Sequence, residues 1–379
     1  MPPLSIMIKP ASGSCNLSCR YCFYADEMSL RKVASYGIMK ESTLENVIRK
    51  ALDAASGMCA IVFQGGEPTL AGLPFFEKAV ALQERYNHKR LAIYNAIQTN
   101  GLLVDGKWAE FFSRNHFLVG LSLDGPKELH DRYRLDLEGK GTYNRVFHTT
   151  QLLKKHGVEF NILTVVTKQT ANAIGKVYGF FDRSRLDYQQ YIPCMDPLNV
   201  TGGEQPYSLG VQEYGSYLCR LFDLWYADAE QGRVKYNRTF FNYLSILQGG
   251  PPESCNMQGS CSEQYVVEAD GSVYPCDFYV LDSWRLGNLN TDSFDQIDQR
   301  RTELGFIQQS KAVAEDCRGC RWYGLCRGGC RRDRLVGADG TLGKNMYCEA
   351  FQRFFEHAVP RMRMLLYSGV LSRNSFKNI

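Results

Sequence analysis

Fourteen cysteines constrain this chain more than any other feature, because most of them fall in clusters of short spacing. They stand at positions 15, 19, 22, 59, 194, 219, 255, 261, 276, 317, 320, 326, 330 and 348. The N-terminal stretch MPPLSIMIKPASGSC has no basic region followed by an apolar run and a small-residue cleavage site, so a cytoplasmic protein is expected. There thiols stay reduced, disulfide frameworks are rare, and spaced cysteines read as metal or cluster ligands. Cys59, Cys194 and Cys219 each stand alone in an apolar or helical context and read as packing residues. Zinc competes for the rest. The C-terminal group alone satisfies a tetrahedral zinc, whereas the C-x3-C-x2-C triplet Cys15, Cys19 and Cys22 leaves one coordination position open. An open position on a thiolate-bound metal suits a reactive iron–sulfur cluster.

The chain of 379 residues is 44% apolar and 22% charged, which is ordinary for a folded globular protein and suggests two domains. Its net charge of +4 is spread out, with no basic block to argue for nucleic acid or an anionic membrane. No apolar run is long enough for a transmembrane helix. Apolar strand-like runs occur at 5–11, 59–68, 91–101, 117–125, 159–167 and 187–193. Between and after them lie helical patterns, including 73–87, 105–115, 170–184 and 210–230, with a capping box expected at Ser42-x-x-Glu45. Such alternation implies βαβ units around a parallel sheet. Six units are fewer than the eight of a closed TIM barrel, so the expected fold is α/β, a partial (β/α)6 TIM-like barrel. Polar and glycine residues gather at strand ends, in 64–67, 98–101 and 122–125, the edge where parallel folds place active sites. After residue 235 the texture changes. A helix over 237–248, a hairpin around Asp270-Gly271 and short pieces dense in Cys, Gly and Arg precede an amphipathic helix over 349–367. The division expected is 1–235 for the barrel and 236–379 for a Cys-rich α+β domain. The second domain looks too poor in regular elements to cohere by its core alone, so clusters are expected to supply cohesion.

The segment CNLSCRYC directly after the first strand, with Tyr21 before its last cysteine, resembles the radical S-adenosylmethionine superfamily. The resemblance implies a [4Fe–4S] cluster on Cys15, Cys19 and Cys22, whose open iron binds S-adenosylmethionine and helps generate a 5′-deoxyadenosyl radical. It implies that the GGEP segment, Gly65, Gly66 and Glu67 in particular, meets the cofactor's amino group. A glycine pair at a strand end also lets backbone approach a ligand closely, and Glu67 is suited to fixing strand geometry. By the same resemblance Ser122 and Arg134 contact the ribose and carboxylate, while Tyr21 and Met195 flank the adenine and sulfonium. The plain alternatives are a backbone-bonded serine, a surface arginine and ordinary core packing.

Cys261, Cys276, Cys317, Cys320, Cys326, Cys330 and Cys348 follow the pattern of the SPASM auxiliary-cluster domain, and Cys255 adds an eighth thiol. Eight thiolates complete two [4Fe–4S] clusters. The family pattern implies Cys255, Cys261, Cys276 and Cys330 on one and Cys317, Cys320, Cys326 and Cys348 on the other, with neither iron left open. The alternative is a spare Cys255.

YCFY at 21–24, FQGGEPTLAG at 63–72, SLDGP at 122–126, SVYPCDFYVLD at 272–282 and CRGGCRR at 326–332 extend the likeness over essentially the whole chain. Together they resemble the anaerobic sulfatase-maturating enzymes. This implies oxidation of a Cys or Ser in a Cys/Ser-x-Pro/Ala-x-Arg motif of a sulfatase polypeptide to Cα-formylglycine, with the auxiliary clusters carrying away the second electron. It implies Asp277 as the base and Tyr24 and Gln64 as substrate contacts. A ferredoxin- or flavodoxin-type electron carrier is expected as a partner, and neither nucleic acid nor membrane is. The rival enzyme is a thioether-forming maturase of ribosomal peptides, disfavoured because a triplet at residue 15 leaves no room for an added N-terminal peptide-binding domain. The non-enzyme rival, an electron-transfer or zinc module, leaves the three-thiol triplet unexplained.

Overall fold

The computed structural model describes residues 3–198 and 203–368. Met1 and Pro2 of the N-terminal stretch, and the part of the expected second domain beyond residue 368, lie outside the described residues. Six strands run parallel in chain order: β1 (Leu4–Ile8), β2 (Met58–Phe63), β3 (Ala92–Thr99), β4 (Leu118–Ser122), β5 (Phe160–Val166) and β6 (Tyr188–Pro193). Helices such as Glu41–Ala54, Leu73–Tyr86, Gly106–Arg114 and Ile174–Arg183 connect them. Parallel neighbours require such crossovers, and a helix that buries one apolar face against the sheet supplies them. In β2 the alternation is clear, with Cys59, Ile61 and Phe63 buried. Phe63 meets Phe76 of the next helix with ring centroids 5.0 Å apart.

The sheet does not stop at six strands. β7 (Tyr236–Asn237) adds in parallel to β6 at one edge. At the other edge β8 (Tyr265–Val267) pairs in parallel with β1, Ile6 opposite Tyr265 and Ile8 opposite Val267. β9 (Ser272–Tyr274) and β10 (Gly287–Asn288) then continue it antiparallel. The Asp270-Gly271 hairpin therefore extends the barrel sheet, and the C-terminal residues are not a separate stack.

The C-terminal part also shares the apolar core of the barrel. One contiguous apolar cluster runs from Leu4 in β1 to Leu365 in the final helix, Cys348–Ser368. That helix lies along Val211–Glu230, and its buried Phe354 packs on Phe222, Phe240 and Tyr243 at 6.1, 6.0 and 5.7 Å between ring centroids. A shared core thus holds the C-terminal part to the barrel. The capping box also fails. The helix begins at Glu41 with Lys40 as its cap and no side-chain cap bond. Ser42 and Glu45 lie inside it, and Glu45 instead accepts from Tyr86. The helix expected over 170–184 is broken at Ala173 into Lys168–Asn172 and Ile174–Arg183. Among the described residues no helix is long and apolar enough to cross a membrane.

If the shared core holds the two parts together, Phe354→Ala should cost about 3–5 kcal/mol, the usual loss for a buried phenylalanine. Denaturant titration followed by tryptophan fluorescence and by cluster absorbance should show one shifted transition. Two separated transitions would mean that the parts unfold independently.

Candidate active site

The cysteine triplet sits on the loop leaving β1, and backbone bonds fix that loop on both sides. Ser18 N donates to Leu135 O at 2.8 Å and Arg20 N to Tyr133 O at 3.1 Å. Opposite, Gly66 N donates to Ser12 O at 2.9 Å and Glu67 N to Ser14 O at 2.8 Å. This explains the glycines. A Cβ on Gly66 would lie 2.1 Å from Ser14 O, and Gly65 has φ +110°. The close backbone approach here is to the cysteine loop itself, a role that reading the pair as a ligand cradle alone misses.

Glu67 is buried, and its carboxylate accepts from Thr69 N, Thr69 Oγ1, Thr99 Oγ1 and Asn100 N at 3.0, 2.6, 2.7 and 2.7 Å. It therefore ties the end of β2 to the end of β3. Burial lifts its pKa above the ordinary value even against those donors. Asn100, which the sequence reading did not select, donates from Nδ2 to Asn16 at 2.8 Å and stands 3.7 Å from Cys15 Sγ. Burial raises the Cys15 thiol to about 11 and the Cys19 thiol to about 12, with Cys22 among the further causes for both. The three thiols are thus neighbours.

Across the sheet edge, Arg134 is buried and forks onto Asp124, Nε at 3.0 Å and the second nitrogen at 3.3 Å. The Tyr21 hydroxyl donates to the same carboxylate, and Val165 N donates to its other oxygen at 3.0 Å. Asp124 was also missed, although it lies inside the SLDGP motif. His130, fully buried, accepts from Asp124 N at Nδ1 and meets the Thr142 hydroxyl at Nε2, which in turn donates to Arg134 O. Burial lowers the His130 pKa to about 4, so the ring is neutral. Tyr21 packs edge-on against Tyr133 and Tyr207, beside buried Cys194. Ser122 ends β4 and its hydroxyl has no hydrogen-bond partner among the described residues. Met195 is half-buried just past β6. Cys59 and Cys219 lie buried away from these groups.

Asp277, Tyr24 and Gln64 come from three distant segments and meet. Tyr24 OH donates to Asp277 Oδ2 at 2.6 Å, and Gln64 Nε2 donates to Asp277 Oδ2 and to Tyr24 OH, both at 2.8 Å. Asp277 Oδ1 is buried with no hydrogen-bond partner. Burial lifts the Asp277 carboxyl above its ordinary value, against the pull of Lys9 and the two donors. Phe23 stacks edge-on with Phe278 at 5.1 Å, which docks the helix after the triplet, Phe23–Ser29, onto the Asp277 turn. Lys9, Glu27, Arg31 and Glu268 surround this group and were all missed. A charged residue closing the apolar run SIMIK was the available signal, since a buried lysine needs partners.

The eight C-terminal thiols fall into two neighbourhoods. Beyond burial, Cys255 raises the pKa of Cys261, Cys276 and Cys330, and Cys276 raises that of Cys330. Likewise Cys317 and Cys320 act on Cys326 and Cys348. Among the described residues no three His, Cys, Asp or Glu side chains converge closely enough to hold a single metal ion. The thiols are grouped without meeting at one point. Three in one set and four in each of two others fit one open and two closed four-iron clusters. The unpartnered Ser122 hydroxyl and the Arg134 fork, on the same edge as the triplet, fit a polar cofactor there.

Fold and site together define a radical enzyme with added iron–sulfur clusters. Residues 10–181 match the Radical SAM superfamily, and 255–321 match the SPASM iron–sulfur cluster-binding domain. The cysteine-type anaerobic sulfatase-maturating enzyme of Clostridium perfringens is 49% identical over 362 residues, 96% of this chain and 98% of that one. The serine-type enzyme of Bacteroides thetaiotaomicron is 32% identical over 95% of this chain and 90% of its own. The structure of native anSMEcpe with bound AdoMet and Kp18Cys peptide superimposes with a TM-score of 0.93 at 48% identity, covering 97% of this chain and 100% of that one. This chain belongs to the anaerobic sulfatase-maturating enzymes, radical S-adenosylmethionine proteins whose cofactors are S-adenosylmethionine and [4Fe–4S] clusters.

Gly66→Ala should push the GGEP turn off the cysteine loop. Anaerobic reconstitution should then yield protein short of roughly four of twelve irons, with the C-terminal sets still loaded. Full iron uptake, measured with labile sulfide, would show that the close approach is dispensable.

Proposed function

We propose that the chain oxidises a cysteine of a sulfatase polypeptide, in a Cys-x-Pro/Ala-x-Arg motif, to Cα-formylglycine. The greater similarity to a cysteine-type than to a serine-type relative supports cysteine over serine. The observation that carries the reading is the Asp277 carboxylate, held at Oδ2 by Tyr24 and Gln64 and buried without a hydrogen-bond donor at Oδ1.

The residues divide the work as follows. Cys15, Cys19 and Cys22 hold the cofactor-binding cluster. Cys255, Cys261, Cys276 and Cys330 hold one auxiliary cluster, and Cys317, Cys320, Cys326 and Cys348 the other. Gly65, Gly66, Ser122, Arg134, Tyr21 and Met195 form the S-adenosylmethionine site, with Glu67 bracing it. When bound, these groups supply a 5′-deoxyadenosyl radical that takes a hydrogen atom from the substrate β-carbon, and a sink for the second electron. Asp277 Oδ1 takes the S–H proton, and its fixed Oδ2 keeps the accepting lone pair aimed. Gln64 and Tyr24 set the depth to which the substrate side chain enters. Burial keeps water from competing for that proton. The resulting thioaldehyde hydrolyses to the aldehyde. A ferredoxin- or flavodoxin-type protein exchanges electrons with the clusters. The work is done in the cytoplasm, where the cluster thiols stay reduced. Residues 1–235 carry the radical chemistry, and 236–379 the electron exit together with the proton acceptor Asp277.

The test uses anaerobically reconstituted protein, S-adenosylmethionine, a reductant and a Cys-x-Pro-x-Arg peptide read by mass spectrometry. An aldehyde in place of the thiol is expected, and an unchanged peptide beside cleaved cofactor would move the substrate elsewhere. Asp277→Asn should slow aldehyde formation by about 10²–10⁴-fold, the range of a lost general base, while cofactor cleavage continues. An unaltered aldehyde rate would remove Asp277 from its role.

A further inference from the structure

Lys9 follows β1, and its ammonium is buried, with a side-chain exposure of 2%. A buried charge persists only where partners offset its lost hydration. Lys9 Nζ lies 3.4 Å from Glu268 Oε1 and 3.9 Å from Asp277 Oδ1, over the face of Tyr24 at 4.4 Å from the ring centroid. Glu268 is already met by Arg31, NH1 to Oε1 at 2.6 Å. Lys9 is therefore shared between two buried carboxylates, Glu268, which Arg31 also meets, and Asp277. The buried group then contains two cations, Lys9 and Arg31, and two carboxylates, Glu268 and Asp277. Glu27 faces the same cations and is met separately by the Val280 N–H, which donates to its Oε1 at 3.1 Å; burial pushes its carboxyl up to about 8.

The geometry also separates the two oxygens of Asp277. Oδ2 carries both hydrogen bonds, from Tyr24 and Gln64. Oδ1 has Lys9 nearby at 3.9 Å, beyond hydrogen-bond reach, so Lys9 acts on it by charge and leaves its lone pair open. The lysine stem is fixed as well. A Cβ on Gly65 would lie 3.0 Å from Lys9 Cβ and Cε, so the missing side chain at Gly65 makes the channel through which the stem passes.

The geometry points to Lys9 as a positioning residue of the oxidation: it sets the rotamer and balances the charge of Asp277, so that Oδ1 keeps an unbonded lone pair for the substrate proton. This rests on the reading of Asp277 as proton acceptor. Lys9 meets Glu268, Asp277 and Tyr24 and none of the triplet thiols, so its removal should separate radical formation from product formation.

The experiment compares the native chain with Lys9→Met and Lys9→Gln, all anaerobically reconstituted, using S-adenosylmethionine, dithionite and a Cys-x-Pro-x-Arg peptide. Iron content, 5′-deoxyadenosine and aldehyde are measured on the same samples. Both variants should bind native amounts of iron and release 5′-deoxyadenosine, with kcat for aldehyde at least about tenfold lower and peptide KM within about twofold. The ratio of 5′-deoxyadenosine to aldehyde should therefore rise at least about tenfold. A native ratio and rate in either iron-loaded variant would overturn the role of Lys9 and leave that of Asp277 standing. A parallel fall of both products, or loss of iron in both variants, would make Lys9 a scaffold residue and equally overturn it. No aldehyde from the native chain would sink the maturase reading, and the role of Lys9 with it.

Discussion

The site depends first on one buried carboxylate. Glu67 is withdrawn from water, which is tolerable only because four donors meet it. Those donors come from its own turn and from the end of β3, so satisfying the charge fixes two strand ends against each other. The same turn donates Gly66 N and Glu67 N to the cysteine loop. The triplet, Asn100 and Gln64 are therefore placed by a single polar joint. The apolar core beneath supplies most of the burial energy, but it is non-directional and cannot aim three thiols.

A second joint brings in the C-terminal half. Parallel pairing of β8 with β1 puts Glu268 beside Lys9, and the turn after β9 presents Asp277 to Tyr24 and Gln64. Asp277 and the cysteine triplet thus lie more than 250 residues apart in the chain yet are held by one sheet. The Asp124–Arg134 fork does similar work at the other side of the triplet. Its geometry is held by a neutral His130 that joins the backbones of both residues through Thr142.

Much of this was legible in the sequence because it is local. The βα alternation, the glycine-ended strands and the cysteine spacings are short-range patterns, and each maps onto the structure with boundaries shifted by a few residues. The capping box at Ser42 shows the limit of local reading, since tertiary contacts to Glu45 from the next helix prevailed over a weak propensity. Lys9, Asp124 and Glu268 were not read because their meaning is pairwise. A lysine closing an apolar strand signals that it needs a partner, but which carboxylate arrives is settled only when β8 brings Glu268 beside it. The same holds for the sheet, whose two outer edges come from residues past 235 that pattern alone assigned to a second domain.

The pairing of Ile6 with Tyr265 has a consequence for how the molecule comes into being. During synthesis the cysteine triplet leaves the ribosome early, while its sheet neighbour and Asp277 arrive only after most of the chain has been made. Contacts of such separation form late, because loop closure must precede any gain from pairing. A nascent chain can therefore display the three thiols long before it owns Asp277 or the outer strands of its sheet. Iron delivered at that stage would meet exposed ligands without the surroundings that restrain them. The order of the sequence thus favours metal loading of the finished polypeptide, with the site that handles the radical assembled last.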